Sequence, residues 1–180
     1  MTQEQYNKSI ATEELQLSAW GKFSYFWVVG FLFFIPITCL SFDIFDKSTN
    51  FVSPPIWFII IPTIFGILLY WLQKSQLKFK IVKTRLGRYE FSKLTRQISE
   101  EFKLTILFEE VDIFVAETTP EFFSGTEAKQ ITILLNKDVI MISSIFAFTR
   151  KSSVDITGSN KKAVNTLIDR IEKFEKSVIR

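Results

Sequence analysis

The residues best suited to bind a ligand lie near the C-terminal end of the chain, where basic side chains surround the expected start of a helix. The first turn of a helix presents unpaired backbone N–H groups and the positive end of the helix dipole, and both attract anions. Basic side chains beside such a turn strengthen the attraction for phosphate. The sequence therefore predicts an anion or phosphate site, the basic corner, formed by Arg150, Lys151, Ser159, Lys161 and Lys162.

The basic corner also has a simpler structural interpretation. Ser159 is a good N-cap residue, and the two lysines that follow it could be solvated surface residues. Lysine is unfavourable beside the positive end of the dipole, which leaves open why two are present. The segment is not a Walker loop, because the pattern GxxxxGK[ST] is absent from the sequence.

A second group of candidate residues is acidic. Glu109, Glu110 and Asp112 lie close in sequence to Glu100 and Glu101. Paired carboxylates can bind Mg²⁺ or act as general acid and base. Alternation along a strand would place Glu110 and Asp112 on one solvated face, so we interpret the group as surface charge. We expect no metal and no cofactor.

The composition argues against an enzyme. The chain of 180 residues has no histidine, which removes imidazole metal sites and the usual neutral-pH proton shuttle. Its one cysteine, Cys39, lies in an apolar stretch, where a low dielectric raises the pKa of a thiol and makes it a poor nucleophile. We therefore expect a protein that is not an enzyme.

Two uncharged apolar stretches, 23–42 and 51–72, dominate the N-terminal part of the chain. Each is long enough to cross the roughly 30 Å hydrocarbon core of a bilayer as a helix. We predict two transmembrane helices joined by a short external loop at 43–50. Pro36 and Pro62 lie away from the ends of these helices, and either form hinges or reflect the tolerance of membrane helices for proline.

The distribution of charge predicts the orientation. Basic residues are few in the N-terminal segment 1–22 and in the loop, and they cluster in the linker 73–90. The positive-inside bias therefore places both termini in the cytoplasm. From Lys74 to the C-terminus, 19 basic and 14 acidic residues give a net charge of 19 − 14 = +5, which suits a polyanionic ligand or a membrane surface.

The segment 91–180 predicts a small cytosolic α+β domain. Apolar spacing indicates an amphipathic helix over 91–102 and another over about 160–178. Between them lie four runs typical of strands, namely Leu104–Glu109, Val111–Glu117, Ile131–Leu135 and Val139–Phe146. The expected fold is an antiparallel four-stranded sheet with two helices on one face, in the order α-β-β-β-β-α. Residues 77–82 fit either a helix extension or a first strand, and 3–19 fit a short helix on the membrane or against the domain.

In layout, with two uncharged spans attached to a basic cytosolic domain, the chain resembles the small two-span membrane effectors of bacterial anti-phage systems. These accompany type III CRISPR, cyclic-oligonucleotide or retron systems, and the resemblance includes no residue-level motif. It implies a homo-oligomer in the bacterial inner membrane that perturbs the lipid bilayer when its cytosolic domain binds a phosphorylated signal. A cyclic or linear oligonucleotide is the ligand it implies, and duplex nucleic acid is not expected. The alternative is an accessory or immunity-type membrane protein whose cytosolic domain docks a protein partner.

Overall fold

A computed structural model describes residues 1–45, 55–118, 128–147, 155 and 158–178. In these ranges the chain forms five helices and five strands. In chain order they are α1 (Gln3–Thr12), α2 (Ala19–Phe45), α3 (Trp57–Gln76), β1 (Lys80–Lys83), α4 (Arg88–Glu101), β2 (Thr105–Glu110), β3 (Ile113–Glu117), β4 (Lys129–Asn136), β5 (Val139–Phe146) and α5 (Ser159–Val178).

Helices α2 and α3 are the two candidate membrane spans. Both are long and apolar enough to cross a bilayer, and most of their large apolar side chains are exposed. A helix that is apolar on all sides and largely exposed is suited to a lipid environment rather than to a soluble core. The first span starts earlier than predicted, at Ala19, and the predicted loop 43–50 begins within α2 and continues outside the described residues.

The two spans pack against each other along their length. An added Cβ at Gly66 would lie 3.2 Å from the ring of Phe33, so the glycine allows α3 to approach α2 closely. Pro36 and Pro62 lie inside continuous α2 and α3, respectively. The hydroxyl of Thr63 donates to the Ile59 carbonyl, which illustrates how polar groups inside the spans find partners within their own helix.

The part of the chain outside the two candidate spans is built on one antiparallel sheet with the strand order β1-β5-β4-β3-β2. The α+β class is confirmed, but the prediction of four strands is wrong, because β1 adds a fifth. It pairs with β5 from Lys80 opposite Ile142 to Lys83 opposite Val139. The residues 73–90 are thus not a linker, since they contain the end of α3, all of β1 and the start of α4.

The remaining strands lie close to their predicted positions. The second predicted strand begins at Ile113 rather than at Val111, because Val111 and Asp112 form the turn from β2. A short turn joins β4 to β5, and Lys137 within it adopts a left-handed conformation with φ of 52°. This turn fixes the register in which Asn136 lies opposite Val139.

Helices α4 and α5 cover one face of the sheet, here called the helical face. Their apolar side chains meet those of the central strands and form the larger core. Ile98 on α4, Ile171 on α5 and Ile133 on β4 are all fully buried there. The predicted pair of helices on one face of the sheet is therefore present.

The opposite face, here called the N-terminal face, is covered by α1 and the segment that leads into α2. The Tyr6 hydroxyl on α1 donates to the Leu135 carbonyl on β4 at 2.8 Å. Two backbone hydrogen bonds, from Leu15 to the Leu77 carbonyl and from Phe79 to the Glu13 carbonyl, tie this segment to the chain after α3. The N-terminal segment thus packs against the sheet, the second of the two positions that the sequence allowed.

Candidate functional site

The site that the sequence predicted lies at the start of α5, and an internal carboxylate already caps it. Asp155 accepts hydrogen bonds from the backbone N–H groups of Ser159 at 3.0 Å and Asn160 at 2.6 Å. The Ser159 hydroxyl lies 3.4 Å from the same carboxylate. Ser159 is therefore not the capping residue, because Asp155 supplies the acceptor for the first turn. An anion cannot take this position without displacing Asp155.

A buried lysine supports the same turn from the sheet. The Lys129 side chain on β4 is almost fully buried, and its ammonium group donates to the Ser159 carbonyl at 3.0 Å. Burial lowers the pKa of Lys129, whereas the negative charge of Asp155 raises it and the positive charge of Lys162 lowers it. Lys129 and Asp155 therefore stabilise each other's charged forms at the start of α5.

Beside this turn lies a cavity of about 390 Å³, here called the α3–α5 cavity. It lies between the C-terminal end of α3, the edge of the sheet and the start of α5. Pairing between β1 and β5 stops at Lys80 and Ile142, so Ser143 and Ser144 of β5 continue beyond the end of β1 and line the cavity. The polar and charged lining residues comprise Ser75, Gln76, Lys78, Lys80, Ser143, Ser144, Asp155, Asn160, Lys161 and Asn165.

Two buried polar groups in the lining lack a hydrogen-bond partner within the described part of the chain. They are the amide nitrogen Nδ2 of Asn160 and the hydroxyl Oγ of Ser143. The carboxamide oxygen of Asn160 accepts a hydrogen bond from the Ser144 hydroxyl at 3.5 Å. Ser143 alternates with Ser144 and shares the N-terminal face with Met141 and Ile145, so Asn160 is the one of the two on the α5 side. Buried polar groups are almost always paired, and the unpaired Asn160 amide beside the cavity therefore indicates room for a polar ligand or water.

Of the predicted basic corner, Ser159, Lys161 and Lys162 lie together in the first turn of α5. Lys161 lines the α3–α5 cavity, whereas Ser159 and Lys162 are not among its lining residues. Arg150 and Lys151 lie outside the described residues. The lysines Lys78 and Lys80, which the sequence assigned to the linker, instead join Lys161 at the cavity.

Two members of the acidic group pair with arginines. Asp112 makes two hydrogen bonds of 3.0 Å with the guanidinium of Arg88, and Glu101 pairs with Arg170 on α5 at 2.6 Å. In the described ranges, no group of three or more acidic, histidine or cysteine side chains is placed to hold a metal ion. The interpretation as surface charge fits these positions.

A chain of hydrogen bonds connects the spans to the candidate site. Near the end of α3, the Gln73 amide donates to the Tyr25 carbonyl on α2 at 2.9 Å, and the Tyr25 hydroxyl donates to the Gln73 carbonyl at 3.1 Å. One helical turn on, the Gln76 amide donates to the carbonyl of Asp155 at 2.8 Å. The residue that caps α5 is thereby joined directly to the last turn of α3.

The sequence matches no protein-family model, no curated protein and no solved structure. The interpretation of this site therefore depends on its geometry and charge.

Proposed function

We propose that the chain is an oligomeric membrane effector of a bacterial antiviral defence system. Helices α2 and α3 cross the inner membrane, with both termini in the cytoplasm. The cytosolic domain senses a nucleotide-type or other phosphorylated signal, and the spans perturb the bilayer when that signal is bound. The apolar, exposed character of both spans and the concentration of basic residues after α3 support this arrangement.

The observation that carries the proposal is the hydrogen bond from Gln76 to Asp155. Asp155 caps α5, and Gln76 is the last residue of α3. A ligand bound in the α3–α5 cavity would contact both elements and favour one spacing between them. Binding shifts a conformational equilibrium only when the ligand prefers one of its states, and a ligand that touches two coupled elements meets this condition.

The proposal predicts that a single substitution at the junction of α3 and α5 abolishes the effect of the signal on the membrane. Full-length protein is reconstituted in dye-loaded vesicles of phosphatidylcholine and phosphatidylglycerol, and cyclic or linear oligonucleotides are added. We expect dye release with one of these ligands, and loss of release in Gln76→Leu. Gln97→Leu is the matched control, because Gln97 is exposed on α4 and should leave release unchanged.

Two outcomes of the vesicle experiment would contradict a signal-gated effector. One is equal dye release with and without nucleotides, and the other is no release with any of them. Release that survives in Gln76→Leu would instead contradict the coupling through Asp155.

An accessory protein that docks a partner is the second candidate function. It is favoured by β2, which is an edge strand of the sheet with Ile106 and Leu107 exposed, followed by the exposed Val111. Edge strands with apolar side chains are common sites of β-strand addition by a partner. If the Leu107→Lys/Val111→Lys double variant lost a copurifying protein and no nucleotide caused dye release, docking would be the better assignment.

A further inference from the structure

We propose that the α3–α5 cavity binds the phosphate group of an anionic ligand. Lys78, Lys80 and Lys161 supply the positive charge, and the Asn160 amide supplies a buried hydrogen-bond donor. This inference rests on the proposed function, since it names the chemical class that the sensing site would take. It also assigns the binding to the cavity side of α5 rather than to the whole basic corner.

The charge of the cavity selects an anion. Its lining includes three exposed lysines, of which Lys78 and Lys80 follow α3 and Lys161 lies in the first turn of α5. Among the described lining residues, Asp155 is the one that carries a carboxylate. Its charge is offset by two backbone N–H groups of α5 and by the nearby ammonium group of Lys129. The positive charge of the three lysines therefore remains available to a ligand.

The buried donor selects a group with acceptor oxygens. Asn160 is 5 % exposed, and its Nδ2 atom has no partner within the described part of the chain. This atom can donate a hydrogen bond. Phosphate carries several acceptor oxygens and a negative charge, so it can accept from Asn160 while it neutralises the lysines. A neutral or cationic ligand would leave the lysines repelling one another.

The size of the cavity leaves room for more than phosphate. A volume of about 390 Å³ lies within the range of small-ligand sites, which is roughly 300–1,000 Å³. Leu72, Ile142 and Val164 form an apolar part of the lining. An organic group attached to the phosphate, such as a nucleoside or a glycerol backbone, can cover these side chains.

The position of the cavity admits two sources of phosphate. Leu72 and Ser75 line it at the end of α3, directly after the exposed Trp71. Tryptophan is enriched at membrane interfaces, so this part of α3 would lie at the level of the lipid headgroups. An anionic phospholipid in the cytoplasmic leaflet and a soluble nucleotide both present phosphate at this depth, and the test must distinguish them.

The test measures binding to full-length protein in maltoside micelles, which contain no phosphate. One arm titrates inorganic phosphate and adenosine monophosphate by calorimetry, and the other adds phosphatidylglycerol and counts bound lipid by native mass spectrometry. We expect Lys161→Ala and Lys80→Ala each to weaken binding of the favoured probe by about tenfold, as for loss of a charge-assisted hydrogen bond. Lys162→Ala, outside the cavity, and Lys173→Ala, far along α5, should each change binding by less than about twofold.

Each outcome decides a different point. Lysine-dependent binding of adenosine monophosphate alone supports a soluble ligand, and lysine-dependent retention of phosphatidylglycerol alone supports a lipid headgroup. The inference is overturned if neither probe binds, or if Lys162→Ala weakens binding as much as Lys161→Ala does. If nucleotide-gated dye release persisted in Lys161→Ala, phosphate binding in the cavity would be refuted, but the membrane-effector function would not. If binding depended on the lysines but no dye were released, the membrane-effector function would be refuted, but phosphate binding in the cavity would not.

Discussion

Asp155 and Lys129 act together at the first turn of α5. The Asp155 carboxylate accepts from two backbone N–H groups, and the buried Lys129 ammonium donates to the Ser159 carbonyl of the same turn. Each charge lowers the cost of burying the other. The first turn of α5 is therefore fixed in position before any ligand binds, so Lys161 and Asn160 are held at the cavity.

We predict that Asp155→Ala lowers the thermal unfolding midpoint of the full-length protein in detergent. Loss of a capping acceptor costs about 0.5–2 kcal/mol of stability, and the buried Lys129 loses a compensating charge as well. Asp169→Ala is the control, because it removes an exposed carboxylate from the same helix. Equal midpoints for the two variants would show that Asp155 does not cap α5.

We also predict that stability rises with pH in the alkaline range because of Lys129. Burial lowers the pKa of this lysine in the folded protein, so the unfolded chain holds its proton up to a higher pH, about 10.4. Between the two pKa values the unfolded state binds more protons, and the free energy of unfolding therefore increases with pH. The unfolding midpoint of the wild type should rise relative to that of Lys129→Met as the pH approaches about 10.4.

The matched control for this pH experiment is Lys173→Met, which removes an exposed lysine of α5. Burial raises the pKa of the Tyr6 hydroxyl, but Tyr6 is present in all three proteins and its contribution cancels in the differences. A wild-type midpoint that falls relative to Lys129→Met with increasing pH would contradict the prediction.

At the scale of single residues, the sequence predicted one side chain that lines the α3–α5 cavity, Lys161. Lysines beside the start of a helix can be recognised in the sequence alone. It could not predict Asp155, since the segment before α5 has no regular spacing that reveals which side chain turns back to cap the helix. Lys78 and Lys80 were assigned to a linker, because their approach to α5 depends on the pairing of β1 with β5. Contacts between distant segments leave no local signal in the sequence.

At the scale of secondary-structure elements, the two spans form a hairpin with a close contact at a glycine. The Phe33 ring of α2 lies directly over Gly66 of α3, whereas an added Cβ at Gly30 of α2 would meet nothing within 4 Å. Small residues let helix backbones approach closely in a bilayer, where packing rather than hydrophobic burial drives association. The two glycines therefore have different structural roles despite similar surroundings in sequence.

We predict that Gly66→Leu destabilises the hairpin and that Gly30→Leu does not. The larger side chain at Gly66 must displace Phe33, and overpacking of this kind costs about 1–3 kcal/mol. Leucine at Gly30 enters open space and improves the helix propensity of α2. Thermal unfolding in detergent should give a lower midpoint for Gly66→Leu alone. If both variants had similarly lowered midpoints, the loss would come from substitution inside these helices in general and not from the contact between Gly66 and Phe33.

The elements that the sequence predicted well are those with a strong internal pattern. The apolar stripe of α5 and the apolar runs of β4 and β5 identify these elements without knowledge of the fold. In contrast, β1 has four residues, two of them lysines, and it is a strand only because β5 pairs with it. Helix α1 is likewise weakly amphipathic, and its position against the sheet depends on the contact of Tyr6 with β4.

At the scale of the whole molecule, the hairpin and the sheet are interlocked. The N-terminal segment lies on the N-terminal face of the sheet and then enters α2. After α3 the chain returns beside this segment, where the backbone N–H of Leu15 donates to the Leu77 carbonyl. Leu15, Leu17 and Leu77 then bury the apolar side chains of β3, β4 and β5 on that face. A change in the spacing of the spans at the ends nearest the sheet would therefore act on the sheet directly, as well as through Gln76.

This interlocking predicts that the sheet and its helices fold only when the N-terminal segment is included. A fragment of residues 78–180 exposes Ile113, Val115, Leu134, Met141 and Ile145, whose burial contributes about 1.5–3 kcal/mol each. We expect it to aggregate or to unfold without a cooperative transition.

A fused chain, in which a flexible linker replaces the spans and joins residues 1–17 to residues 77–180, should be soluble with a single cooperative transition. The fusion is feasible because the N–H of Leu15 lies 2.8 Å from the carbonyl oxygen of Leu77. If the shorter fragment were soluble and unfolded at the same temperature as the fused chain, the N-terminal segment would be an accessory to the domain rather than part of its core.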